Sequence, residues 1–219
     1  SILTDRPLTG NTVDYFVMDY GLDMLAAYWF QRDAFGNFQI VKEHCEPNLT
    51  IGAAAQTILD LSRDYKPKLW LAPPDLWNRS QVTGKSRALI FGENGLNLTK
   101  VNNDIAAGSA ALKELLTHGD GMPSKLTIFE KCAPVLLDCL KKIQRDKKKP
   151  NIYANDPHEL THSVDAARYM AVYWTYGAKD SEKNNKKKWT YDMYEDYQNA
   201  NAEEKKYLIS IWGEPNGII

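Results

Sequence analysis

The chain has 219 residues, 43% of them apolar and 25% charged, with a formal net charge of −1. That is enough for one large domain, or a domain with an appendage, of ordinary soluble composition. The near-zero charge rules out a global field that draws in nucleic acid, so such a partner must be held by local patches. No run of about 18 apolar residues and no charged-then-apolar leader occurs, which excludes a helical membrane span and leads us to expect an intracellular protein.

In chain order, residues 1–12 carry Pro7, Gly10 and Asn11 and read as a linker. The start at Ser1, without Met, is what a fragment or processed chain would show. Val13 to Asp19 is rich in β-formers and ends at Asp19-Tyr20-Gly21. Leu25 to Arg32 and Phe38 to His44 flank a turn at Ala34-Phe35-Gly36-Asn37, so the chain opens with three strands in hairpin order. Leu49 to Asp64 has helical periodicity, and Lys68 to Ala72 is a short apolar strand that runs into Pro73-Pro74-Asp75-Leu76-Trp77. Gly84-Lys85-Ser86 is no phosphate loop, because Arg79 stands where the Walker pattern needs glycine.

Further on, Ser86 to Phe91 reads as helix and Leu96 to Val101 as strand. Asn102-Asn103-Asp104 caps a helix from Ile105 to about Thr117, and Leu126 to Phe129 is a strand. Ala133 to Gln144 is a helix that runs into the basic series Lys141, Lys142, Arg145, Lys147, Lys148 and Lys149. Cys132 and Cys139 in this segment, with the distant Cys45, read as small buried residues and not as a disulfide or zinc pair.

Next comes the stretch Asp156 to Met170. Asp156 is a good N-cap, Pro157 fits the first helical position and Glu159 a capping box. Leu160, Val164, Ala167, Met170 and Ala171 mark a buried face, and His162 and Asp165, three apart, share another. After Trp174 the composition changes to a lysine run (Lys183, Lys186, Lys187, Lys188) and an aromatic, acidic tail, expected to form an appendage with one or two helices.

Three hairpin strands followed by alternating strands and helices predict an α/β fold with a mixed sheet flanked by helices. Asp19 then stands at a strand end, Asp75 just past a strand and Asp165 on a late helix, converging at the carboxyl edge. Hard oxygen ligands suit Mg²⁺ or Mn²⁺, and two such ions can clamp the attacking and leaving oxygens of a phosphodiester. A lone Asp after a strand is most often a turn residue or cap, so only the joint placement points to chemistry. His158-Glu159-Leu160-Thr161-His162 also matches the H-E-x-x-H zinc-peptidase pattern, but its extended form needs Gly and His where the chain has Asp165 and Arg168.

The order strand-Asp19, Ala72-Pro73-Pro74-Asp75-Leu76-Trp77-Asn78-Arg79, Gly95-Leu96, Asn102-Asn103-Asp104 with Gly108, and His162-Ser163-Val164-Asp165-Ala166-Ala167-Arg168-Tyr169 resembles the nuclease domain of tailed-phage large terminase subunits, over roughly residues 13–174. The His-x-x-Asp-Ala-x-Arg-Tyr block is the most specific part. The resemblance implies an RNase H-like fold and a metal-dependent endonuclease that cuts concatemeric viral DNA during packaging. Asp19, Asp75 and Asp165 take the places of the metal ligands, with two Mg²⁺ or Mn²⁺ ions, and His162 an auxiliary place. Asp23 either supports the ligands from behind or shapes the loop.

The resemblance further implies double-stranded DNA as substrate, portal protein and small terminase subunit as partners, host cytoplasm as location and a monomer in isolation. No ATPase motif is present, so residues 13–175 are read as the nuclease domain alone, 1–12 as a linker stub and 176–219 as the appendage. Arg79 and the basic run Lys141, Lys142, Arg145, Lys147, Lys148 and Lys149 are candidate phosphate contacts, while the bland alternative for the run is a solvated helix end. A non-catalytic DNA-docking module of the same fold is the other functional class, with zinc peptidase a remote third. If the three acids repel one another without metal, Asp165→Asn is expected to leave the metal-free melting point level or raised.

Overall fold

The computed structural model describes residues 2–21, 23–117, 119, 124–184, 189, 191–202, 204–205 and 208–209. The chain falls into two units, Ser1–Thr175 and Tyr176–Ile219. In the first unit the aromatic and branched residues of β2 (Val13–Tyr20) and β3 (Leu25–Arg32) pair antiparallel, and β3 pairs antiparallel with β4 (Phe38–Glu46). Beside β2 lies β5 (Trp70–Ala72), parallel to it, and then the parallel β6 (Thr99–Lys100). Beside β4 lies the parallel β7 (Leu126–Phe129), and then the parallel β1 (Leu3–Thr4). The result is a seven-stranded mixed sheet, in the order β1-β7-β4-β3-β2-β5-β6.

The expected linker at 1–12 is thus in part a strand. The open edge of β7 offers backbone groups, and Leu3–Thr4 take them: Ile128 N–H donates to the Ile2 carbonyl at 2.7 Å and Glu130 N–H to Thr4 at 2.9 Å. The expected strand at 96–101 shrinks to Thr99–Lys100, which pair with Leu71 and Ala72 of β5, and Val101 N–H adds one bond to the Ala72 carbonyl at 3.1 Å.

Alternation along β2 sorts the core onto two faces. Tyr15 and Val17 pack with Tyr28 and Phe30 of β3 on one face, against α3 (Ile105–Leu116), α4 (Pro134–Lys142) and α5 (Thr161–Asn184). Phe16, Met18 and Tyr20 pack with Trp29 on the other, against α1 (Ile51–Leu61) and α2 (Arg87–Glu93). Trp29 is fully buried, its indole N–H donating to Ser62 Oγ at 2.8 Å. Trp70 and Trp174 are half-buried at the margin of the core. The three cysteines are free; Cys139 is buried and Cys45 and Cys132 half-buried.

α3 starts as read, with the Asp104 carboxylate accepting from Ala107 N–H at 2.9 Å. α5 does not. Pro157 sits in extended backbone (φ −69°, ψ 136°), His158–Leu160 form a single 3-10 turn, and the α-helix begins at Thr161, so Asp156 and Glu159 make no capping box. At its far end α5 continues past Trp174 to Asn184. In the second unit α6 spans Tyr191–Asn199, and the buried Trp189 meets Tyr197 edge-on at 5.0 Å. Most of the expected helix at Glu203–Trp212, and the side chains of the lysine run 183–188, lie outside the described residues.

Candidate nuclease site

Asp19 shares the parity of Tyr15 and Val17, so its carboxylate faces α5. There His162, buried in the first turn of the helix, meets it: Nδ1 lies 2.7 Å from Asp19 Oδ2. The other ring nitrogen, Nε2, lies 3.1 Å from Oδ2 of Asp23, in the turn between β2 and β3. The two carboxylates respond oppositely. Burial holds Asp19 above the usual carboxylate range, outweighing the bond from His162 and reinforced by the charges of Asp165 and Asp75. Exposed Asp23 is lowered, chiefly by His162. The bond to Asp19, more than the loss of solvent opposes it, raises His162 to about 9, so the imidazole is cationic at neutral pH.

Asp165 is held differently. Its Oδ1 accepts from Arg168 Nε at 3.0 Å, from Arg168 Nη2 at 2.7 Å and from the Tyr153 hydroxyl. Arg168 is buried to 2% exposure and also donates to Asn103 Oδ1 at 2.8 Å and to Tyr153 Oη at 2.8 Å. Its stem passes so close to α3 that a Cβ on Gly108 would lie 2.6 Å from its Cγ. All the bonds that Asp165 accepts from described residues go to Oδ1, as the one Asp19 accepts goes to Oδ2. Each carboxylate therefore keeps one oxygen open. Two fixed carboxylates with an open oxygen apiece, one of them raised by burial and by like charge, are a donor set that fits a hard divalent cation.

Asp75 lies in a 3-10 turn (Pro74–Trp77) directly after β5. It is half exposed and paired with Arg87 of α2 at 2.6 Å. Its charge reaches both Asp19 and Tyr169, and the latter is raised by burial first and then by Asp19, Asp165 and Asp75 together. All three acids thus act on Tyr169 by their charge. Among the described residues, the one group of three or more His, Cys, Asp or Glu whose ligand atoms all fall within 4.8 Å is Asp23, His158 and His162. The two histidines of the peptidase pattern do meet, with rings 4.7 Å apart, but across a 3-10 turn and with an acid from another element.

The basic candidates separate. Arg79 bridges to Ser86 across a turn and lines a cleft of about 500 Å³ with Trp77 and Leu98. Lys142 is paired with Asp138 at 2.6 Å. Arg145 pairs with Tyr153 as the base of a loop, in which Asp146 N–H donates to Ile152 and Ala154 N–H to Gln144. Lys147, Lys148 and Lys149 are exposed on that loop, which delivers Tyr153 to Asp165. Tyr153 and Arg87 carry no sequence signal of a role, whereas Asn103, Arg168 and Tyr169 stand in the stretches that carried the resemblance.

This mixed sheet, with helices on both faces and Asp19 at the end of β2 meeting α5, has an RNase H-like fold. Within that class the fold is that of phage large-terminase nuclease domains. The chain is similar to the nuclease domain of the P22 large terminase, with 13% identity over 78% of this chain and 87% of the other at a TM-score of 0.60. It is also similar to the g2p large terminase nuclease domain of bacteriophage SPP1, a structure with bound Mn, with 16% identity over 74% and 86% at a TM-score of 0.50. No family model matches the sequence, and no curated protein matches it significantly.

Proposed function

We propose that this chain is a divalent-metal-dependent DNA endonuclease, the nuclease domain of a tailed-phage large terminase subunit that cuts concatemeric viral DNA in the host cytoplasm as genomes are packaged. The observation that carries the reading is the contact of Asp19 from β2 with His162 of α5, inside the electrostatic reach of Asp165 and Asp75. The likeness to the P22 and SPP1 domains supports it. When bound, Mg²⁺ or Mn²⁺ supplies charge against the scissile phosphate and acidifies a water. Asp19 and Asp165 would hold such ions through their open oxygens. Asp75 joins them once Arg87 lets it go, which leaves Arg87 free to meet a phosphate oxygen.

Tyr153 and Arg168 fix the angle of Asp165. His162, cationic at neutral pH, holds a proton against Asp19 and is suited to donate it, not to take one from water. Lys147–Lys149 and Arg79 are placed to bind duplex phosphates without reading sequence. Portal protein and small terminase subunit are the partners the reading implies.

Supercoiled plasmid with Mn²⁺ or Mg²⁺ tests it. The expected products are nicked and linear DNA with little sequence preference, abolished by EDTA and by Asp19→Asn. DNA retention without cleavage in either metal would instead make the chain a docking module.

A further inference from the structure

Beside the acids lies a second constellation. Asp23 Oδ2 stands 3.1 Å from His162 Nε2 and 3.4 Å from His158 Nδ1, and the ligand atoms of all three residues lie within 4.8 Å of one another. Tetrahedral N and O ligands about 2.0–2.1 Å from a zinc ion stand roughly 3.3 Å apart, so two of the three edges already have a metal site's length. We propose that Asp23, His158 and His162 form a binding site for a transition-metal dication of the zinc class, distinct from the carboxylate site for Mg²⁺ or Mn²⁺.

Independent features of the surroundings support this. First, His162 Nδ1 faces the Asp19 carboxylate, which only accepts, so Nδ1 carries the hydrogen. Nε2 faces the carboxylate oxygen of Asp23 at 3.1 Å, so the two share a proton, and an ion binding there would take that proton's place. A carboxylate holding the far nitrogen of a metal-bound imidazole is the usual support for such a ligand. Second, the turn is built around this approach. A Cβ on Gly21 would lie 2.5 Å from Asp23 Oδ1 and 3.3 Å from His162 Cε1, so glycine leaves room for these two side chains to approach. Third, His158 and Asp23 are both exposed, which gives an ion and its remaining water ligands a way in.

Two imidazoles and one carboxylate select Zn²⁺, Co²⁺ or Ni²⁺ over Mg²⁺. An ion there would clamp the β2–β3 turn to the start of α5 and would keep His162 Nε2 from exchanging protons. Glu159, between the histidines in sequence, is exposed, and the third ligand comes from a β-turn, so the site is not that of a helical zinc peptidase.

Co²⁺ titration of metal-free protein, read by its visible d–d absorption, tests the proposal with no reference to cleavage. Wild type is expected to bind one Co²⁺ with tetrahedral-type bands that Zn²⁺ displaces and Mg²⁺ in large excess does not. His158→Ala and Asp23→Ala should each weaken binding by more than the roughly 10–100-fold that loss of an outer partner costs. Both residues are exposed, so the variants should melt close to wild type without metal. Asp75→Asn should leave the bands in place. Unchanged bands in His158→Ala, or their loss in Asp75→Asn, would overturn the assignment. Cobalt binding with no plasmid cleavage would leave this site standing and the nuclease reading fallen.

Discussion

Asp165 and Asp19, the two acids on which the proposed site rests, relate to the fold in opposite ways. Asp165 is the counter-ion of an arginine buried to 2% exposure. Removing its charge strands that guanidinium, and breaking a buried pair costs about 3–5 kcal/mol. Asp165→Asn should therefore melt well below wild type in EDTA, the reverse of what repulsion among three acids predicts. Asp19 is instead raised by burial and like charge, so its ionisation opposes folding. Asp19→Asn removes that cost together with the bond that holds the His162 cation, so it should melt closer to wild type in EDTA than Asp165→Asn does, while losing cleavage. Equal melting points for Asp165→Asn and wild type would refute the buried pair.

His162 gives a pH signature at the same scale. Its folded pKa of about 9 lies above the unfolded value near 6.5, so its stabilisation is complete below about pH 6.5 and fades as pH rises through about 9. The melting gap between wild type and His162→Gln in EDTA should be largest near pH 6, at about 1.5–3 kcal/mol for a charged hydrogen bond, and should narrow by pH 9.5. A gap independent of pH would mean the imidazole is not held by its charge.

At the scale of elements, α3 and α5 are packed through one glycine. Gly108→Ala gains about 1 kcal/mol of helix propensity, but its Cβ would meet Arg168 Cγ at 2.6 Å and Cδ at 3.1 Å, the rigid near end of the side chain. Overpacking of this kind costs about 1–3 kcal/mol, so collision wins and the variant should melt lower. Because Arg168 moves with it, Asp165 turns, and cleavage should fall further than stability accounts for. A rise in melting point would show that the helices can part. The loop between Gln144 and Ala154 carries exposed lysines and has Tyr153, the partner of Asp165, at its base. Lys147, Lys148 and Lys149 changed together to Ala should lower duplex affinity for all sequences. The slope of log affinity against log salt should flatten by up to about 0.9 per lysine that meets a phosphate. An unchanged slope in a salt titration would move the DNA path elsewhere.

For the whole molecule, metal and folding are linked. An ion held only by the folded chain adds RT ln(1 + [L]/Kd), about 2.7 kcal/mol at a hundredfold excess over Kd. Mn²⁺ should therefore raise the melting point by several degrees, at roughly 2–4 °C per kcal/mol for this size. Asp19→Asn should shrink that rise. A full Mn²⁺ shift in Asp19→Asn would detach the acid at the end of β2 from metal binding.

The sequence alone determined the elements, because periodicity and caps are local. The three opening strands, the Asp104 cap of α3 and the limits of β7 follow from residues adjacent in the chain, and so does the mixed α/β class. Period-two alternation also determined that Asp19 faces opposite to Met18 and Tyr20. Only the tertiary structure decided what lay on that face, since the partner comes from 143 positions away and no local pattern encodes it. It decided that Leu3 and Thr4 join the sheet, because a strand edge, and not composition, is what captures them. It turned the start of α5 into a 3-10 turn that brings His158 to Asp23. It also gave Asp165 a buried arginine for a partner, a pairing that depends on Tyr153 from one segment and on Asn103 and Gly108, at the start of α3, from another.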